Sequence, residues 1–168
     1  APILMDITVD GRPIKALVEI TKQSYAYVLD RTTGKPGWRS VERAVPQSTV
    51  PGERTSPTQP IPTKPPPFDR QGATEENLID FTPQLRAEAV EILKRYTHGP
   101  LFTPPSIRDD RPGGNLGTIE LPGSGGGPNW TGGAVDPDTG ILYVPPATPP
   151  FVPAIRRAPT PKLQQFML

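Results

Sequence analysis

Few side chains in this chain are spaced for chemistry. Asp136-Pro137-Asp138-Thr139-Gly140 comes nearest to a metal loop, because alternating carboxylates ahead of a glycine open the Ca2+ loop of an EF-hand. Here the glycine falls one residue early and no bidentate Glu follows, so the metal reading fails. His98 is the only histidine. It follows a helical stretch, where a solvated cap is its ordinary role, and no Ser–His–Asp constellation can be built on it. Cysteine is absent, which removes disulfides, thiolate metal sites and a thiol nucleophile together. Asp6 and Asp10 lie in or beside strand-like runs, where turn or solvent roles account for them better than general-base catalysis. Lys22 stands at the end of such a run, the usual place for a lysine that lays its stem on apolar surface and its ammonium in water.

A repeated spacing says more. Val28-Leu29-Asp30-Arg31-Thr32-Thr33-Gly34 resembles Ala134-Val135-Asp136-Pro137-Asp138-Thr139-Gly140. Each is an apolar strand end followed by Asp-x-x-Thr-Gly. Asp can accept hydrogen bonds from backbone amides ahead of it, and Gly takes a positive φ without steric cost. Recurrent strand–turn–strand units mark repeat architectures, and the blades of a β-propeller are small four-stranded sheets. The copies stand farther apart than one blade of about 40–50 residues, so an insertion separates them.

The elements that must carry these turns are mostly strands. Residues 3–8, 14–21 and 24–30 are apolar and β-prone, and Asp10-Gly11 marks the first turn. From Pro46 to Pro67 proline dominates, which rules out a helix or a central strand. The stretch is expected as a long ordered loop lying over a larger body, anchored by Ile61 and Phe68, with a disordered linker as the alternative. One helix is expected at about 83–96, with Thr82 as N-cap and Pro83 at the first helical position. Leu85, Ala89, Ile92, Leu93 and Tyr96 would form its buried face, against a sheet, with Glu91 and Arg95 paired on the other. Residues 116–121 form a further strand candidate, and 133–136 with 141–144 a hairpin.

Composition points the same way. Pro is 26 and Gly 16 of 168 residues, and apolar residues make up only 34%. A chain so poor in apolar side chains buries about two-thirds of its unfolded surface with difficulty, so a large share of loop or a missing partner surface is expected. The net charge of +1 gives no electrostatic case for nucleic acid or an anionic membrane. No apolar run is long enough to cross a bilayer.

Specific motifs then align in order. Residues 21–35 (TKQSYAYVLDRTTGK) with Trp38 beyond resemble the strand and tryptophan-docking turn of pyrroloquinoline quinone (PQQ)-dependent dehydrogenases. Val45-Pro46-Gln47-Ser48 and Ser56-Pro57-Thr58-Gln59-Pro60 resemble the membrane glucose dehydrogenase group of that family. Residues 101–106 (LFTPPS), Gly114-Asn115-Leu116-Gly117 and Asn129-Trp130-x-Gly-Gly agree in order. The resemblance covers residues 1 to about 152; the last residues, from Ala154 on, are unmatched.

The resemblance implies an all-β fold: a partial β-propeller, about two blades of an eight-bladed ring, with a proline-rich, one-helix insertion. Blade strands with a docking turn would occupy 1–45, the insertion 46–112, and strands with the second turn 113–152, leaving 153–168 unassigned. Asp30, Thr33, Gly34 and Trp38, and Asp136, Thr139 and Gly140, would dock neighbouring blades. Val144 stands where the second copy would carry its tryptophan, so docking there is altered or absent. Lys22 falls where the family carries a cation on the quinone oxygens, and Asn129 and Trp130 fall beside the PQQ ring. A fixed cation suits the negative charge that hydride arrival creates, an amide suits carbonyl or carboxylate edges, and an indole offers a flat wall. The catalytic Asp and the Ca2+ ligands of the family would lie outside this chain, so no catalytic residue is expected within it. The implied partners are a sugar or alcohol substrate, a quinone electron acceptor and the remaining blades, on the periplasmic side of the inner membrane. The rival reading is a non-catalytic propeller or interaction module in which Lys22 and Trp130 are structural. A weaker one is a polyproline II ligand at residues 57–67.

Overall fold

A computed structural model describes residues 2–128, 131–147 and 149–156. Asn129, Trp130 and residues 157–168 lie outside them. The chain divides into two compact units.

The first unit comprises Ala1–Ala44, Thr58–Gln71 and Ser124–Pro149. Its body is an antiparallel sheet of β1 (Ile3–Val9), β2 (Arg12–Ile20) and β3 (Ala26–Asp30), with β2 in the middle. Val9 pairs with Arg12 across Asp10-Gly11, and both turn residues have positive φ (48° and 78°), the two-residue hairpin that Asp-Gly favours. Alternation sets the faces. Ala16 and Val18 of β2 and Ala26 and Val28 of β3 are buried in one cluster, against which Met5, Ile7, Ile14, Trp38, Phe68 and Leu142 pack. Leu4, Leu17 and Leu29 pair across the other face. Past β3 the chain doubles back. Leu29 bridges Pro36, and Gly37 N donates to Val28 O at 2.8 Å, which adds a short fourth rung to the sheet.

A second ribbon pairs β4 (Ser40–Ala44) with β5 (Thr58–Pro62), inside the stretch expected to be loop. The prolines permit it for a positional reason. Thr63 N donates to Arg39 O, so alternate amides face β4 while Pro60 and Pro62 point their missing donors away. A third ribbon, β6 (Ala134–Asp136) with β7 (Ile141–Tyr143), is the expected hairpin. It lies close on the first sheet: a Cβ on Gly133 would stand 2.7 Å from Tyr143 O and 3.0 Å from Ile3 Cδ1, so only glycine fits.

The second unit comprises Val45–Pro57, Gly72–Gly123 and Pro150–Leu168. Its helix α1 (Pro83–Leu93) starts as expected, with Thr82 Oγ1 accepting from Leu85 N, and ends three residues short of the expected limit. The face is also different. Leu93 is buried and Arg86, Ala89, Val90 and Tyr96 are half-buried, whereas Leu85 and Ile92 are 41% and 53% exposed. The first sheet belongs to the other unit, and the side of the helix that is buried runs through Val90 and Leu93. Glu91 pairs with Lys94 at 2.6 Å rather than with Arg95, since both i+3 and i+4 lie within reach. Residues 116–121 are extended but form no regular strand. They make isolated bridges, Thr97 to Thr118 and Glu120 to Phe151.

The interior of this unit is partly polar. Asn115 accepts from Ser106 Oγ (3.0 Å) and Gly117 N (2.7 Å) and donates to Thr97 Oγ1 (2.6 Å). The fully buried Thr118 donates to Ser106 Oγ and lies 3.0 Å from Pro104 O. Among the described residues no helix is long and apolar enough to cross a membrane. Asn115→Ala should orphan several of these groups and lower stability by about 2–4 kcal/mol, read as a fall in the denaturation midpoint.

Candidate functional site

The link between β2 and β3 is a three-residue loop. Ile20 pairs with Ala26, and Thr21 N donates to Tyr25 O at 2.9 Å, which leaves Lys22, Gln23 and Ser24 at the tip. Ser24 N donates to Thr21 O and Ser24 has φ 64°, the left-handed position that closes such loops and that glycine normally fills. A residue with a Cβ costs roughly 1–2 kcal/mol there. Ser24 is also fully buried, and no hydrogen-bond partner of its Oγ lies among the described residues. The sequence reading placed Ser24 in the strand itself; the structure moves it into the turn.

Two distant segments hold this tip. Phe68 N donates to Ser24 O (3.1 Å), and Gln71 Nε2 donates to Gln23 O (2.6 Å). From the other side, Lys22 Nζ donates to Ser124 O at 3.4 Å. Lys22 is exposed and has no carboxylate partner among the described residues. The loop that begins at Ser124 runs past Gly127 to Pro128, which is fully buried. Pro128 O accepts from Gly132 N (3.1 Å) and Thr131 Oγ1 (3.2 Å). The Lys22 tip thus meets the segment that leads to Asn129 and Trp130, although those two lie outside the described residues.

The repeated turns are built alike. Asp30 Oδ1 accepts from Thr32 N (2.9 Å) and Thr32 Oγ1 (2.7 Å), Oδ2 accepts from Thr33 Oγ1 (2.8 Å), and Gly34 N donates to Asp30 O (2.7 Å). In the second copy Asp136 accepts from Asp138 N (2.9 Å) and Thr139 Oγ1 (2.8 Å), and Gly140 N donates to Asp136 O (2.8 Å). Gly34 and Gly140 have φ 71° and 70°. Trp38 is half-buried on the Ala16–Val28 cluster of its own sheet. An open groove of about 280 Å³ lies beside the first turn, lined in part by Asp30, Thr33 and Lys35.

Similarity to known proteins now bears on these features. Residues 1–166 match the family described as PQQ: Glucose/ethanol/alcohol dehydrogenase, beta-propeller domain. The chain belongs to that family. The match reaches beyond residue 152, past the last motif legible in the sequence. Among curated relatives, the glycerol dehydrogenase large subunit of Gluconobacter oxydans (strain 621H) is 36% identical over 134 residues, 79% of this chain and 17% of that protein. Quinoprotein glucose dehydrogenase of Escherichia coli (strain K12) is 33% identical over 157 residues, 90% of this chain and 18% of that protein. Quinate/shikimate dehydrogenase (quinone) of Acinetobacter baylyi (strain ATCC 33305 / BD413 / ADP1) is 33% identical over 144 residues, 85% and 17% respectively. The chain therefore spans less than a fifth of the relatives it matches. No solved structure gives a significant match. The three antiparallel ribbons with one helix are part of the β-propeller domain of a quinoprotein.

PQQ is a flat polyanion rich in carbonyl and carboxylate oxygens. The exposed Lys22 ammonium, which has no carboxylate partner among the described residues, has the charge that would suit one of those oxygens. No group of three or more His, Cys, Asp or Glu that could hold a metal occurs among the described residues. Phe68 was expected only as an anchor of the proline-rich stretch, and its backbone bond to the tip had no local signal. Ser24 and Gln71 were not singled out in the sequence.

The turn carboxylates carry a titration signature. Hydrogen bonds from Thr32 and then Thr33 hold the Asp30 carboxyl below the usual aspartate range, and Thr139 and the Asp138 amide do the same for Asp136. A lowered folded value means the ionised turn contributes stability above the ordinary aspartate range and loses it as pH falls through the folded value. Thr32→Val should raise the Asp30 value toward normal and leave Asp136 unmoved, as read by NMR titration of the two carboxyl groups.

Proposed function

We propose that the parent protein oxidises a sugar (glucose-like) or an alcohol by hydride transfer to PQQ, and that Lys22 is this segment's contact with the cofactor. The observation that carries the reading is the Lys22 ammonium, unpaired by any described carboxylate, on a hairpin tip fixed from two sides. When bound, PQQ supplies the two-electron acceptor for the substrate's C–H bond. Lys22 would hold a quinone oxygen of the bound cofactor, where a fixed positive charge favours the negative charge of reduction. Asn129 would offer an amide to a carbonyl or carboxylate edge, and Trp130 an apolar wall. The general base and the Ca2+ ligands belong to other blades of the parent, and Asp30, Thr33, Gly34 and Trp38 dock the blade against its neighbour.

Three relatives named for glycerol, glucose and quinate or shikimate share this segment at 33–36% identity. A segment common to proteins with such different substrates serves the shared cofactor and scaffold, and substrate selection lies elsewhere. The electrons pass to a quinone acceptor, in line with the word in the name of the Acinetobacter relative, on the periplasmic side of the inner membrane.

In the full-length protein supplied with PQQ and Ca2+, Lys22→Ala should lower kcat about 10²–10³-fold, the usual effect of removing one preorganised donor. Lys22→Arg should keep much of the rate. Steady-state kinetics over a panel of sugars and alcohols is the measurement, and an unchanged kcat for Lys22→Ala would take Lys22 out of the site.

A further inference from the structure

The outward side of α1 is apolar where a surface helix is ordinarily polar. Leu85 and Ile92 stand two turns apart and share one side of the helix, with Glu88 between them. Both are exposed, and Phe81, just before the N-cap, is 82% exposed. Helix capping does not account for Phe81. An apolar residue at that place commonly packs on the fourth helical residue, which here is Arg86. Its Nη1 instead donates to Leu78 O at 3.1 Å. Together with the bond from Leu85 N to Thr82 Oγ1 at 3.2 Å, this ties the approach at 78–82 to the first turn. The apolar side chains are therefore presented from a fixed backbone.

Size and charge decide what could cover them. Phe81, Leu85, Ile92 and the exposed Ile79 leave open on the order of 400 Å² between them. Two copies meeting on this side would bury about 800 Å², below the roughly 1,200 Å² at which stable complexes begin. A segment of the same polypeptide needs no such area, because tethering leaves it little translational freedom to lose. Such polypeptide exists: this chain matches only 17–18% of the length of its relatives. The charges nearby are mainly acidic, with Glu75, Glu76, Asp80, Glu88 and Glu91 against Arg86, Lys94 and Arg95. Helices that lie on membranes carry the opposite balance. Asp80 and Glu88 are exposed and form no salt bridge among the described residues, so the covering surface has a place for a cation.

We propose that the Leu85–Ile92 side of α1, with Phe81, packs against a segment of the parent polypeptide outside these 168 residues. That segment is apolar at its centre and sets a Lys or Arg against Asp80 or Glu88. The proposal depends on family membership and the coverage of the relatives, and is independent of the role of Lys22.

The test uses the full-length protein with p-benzoyl-phenylalanine in place of Phe81, irradiated and mapped by mass spectrometry. An intramolecular adduct to a peptide outside residues 1–168, with a Lys or Arg close to the attachment point, is the expected result. Adducts between two copies, to lipid or within residues 1–168 overturn the proposal, as does the lack of any adduct. Two variants give a readout that does not need the photoprobe. Ile92→Cys should react with a maleimide at least about tenfold more slowly in the native protein than in the urea-unfolded one, as a covered position does; equal rates refute a covered side. Glu88→Lys should speed amide hydrogen exchange about threefold in the peptide covering residues 83–93, and reversing the charge at the cross-linked Lys or Arg should restore it. Failure of that rescue overturns the charge match by which the covering segment is chosen.

Discussion

Pairing of β2 on both edges is the constraint on which the first unit depends. Ala16, Val18 and Ile20 are almost completely buried, and the register from Ile20↔Ala26 to Ala16↔Asp30 fixes everything at the two ends of the β2–β3 hairpin. A slip of one residue would turn the buried row outward and bring Leu17 and Glu19 inward. It would also change the loop length, so Ser24 would no longer stand at the left-handed position and Lys22 would leave the tip. Placement of the ammonium is thus a consequence of burying three apolar side chains.

A chain with so much proline and so few apolar residues needs other means of closure, and the two units use different ones. In the first, Pro60 and Pro62 sit where β5 needs no donor. The second relies on an amide and three hydroxyls, with Asn115 bonded to Ser106, Thr97 and the Gly117 amide. Each bond contributes only about 1 kcal/mol net, yet an unmade one costs more, so a polar interior of this sort specifies one arrangement strictly. Lys64-Pro65 and Leu121-Pro122 are cis in the structure, both outside the regular strands.

How much could be read from the sequence followed the strength of local signals. The first three strands alternate clearly, and Asp10-Gly11 and the two Asp-x-x-Thr-Gly turns have a side chain for each hydrogen bond they need. Thr82-Pro83 announced the helix but not its buried side, since Leu85 and Ile92 are as apolar as Val90 and Leu93 and only tertiary contacts choose between them. The strand β5 was hidden because proline argues against strands unless the parity of the partner is known. At the candidate site, Lys22 was legible only through family resemblance. Ser24 looked like the start of a strand, because its left-handed backbone depends on a register that local pattern does not give, and Phe68 and Gln71 reach the tip from more than forty positions away.

The strand β3 separates two tasks by its own length. At its start is the tip with Lys22, where charge is left unpaired and a hydroxyl unsatisfied. At its end is Asp30, whose carboxylate is fully engaged by Thr32 and Thr33. Five residues of strand put about 17 Å between them. The contrast has a physical basis. A turn that only closes a hairpin is most stable when its polar groups satisfy one another, whereas a group that must meet a ligand has to remain uncommitted and be held in place by its neighbours. In this unit the tip is braced by Phe68, Gln71 and the loop at Ser124, while the Asp30 turn is closed by its own side chains. The two ends of β3 thus reach order by different routes, one by contacts from distant segments and the other by hydrogen bonds within the turn itself.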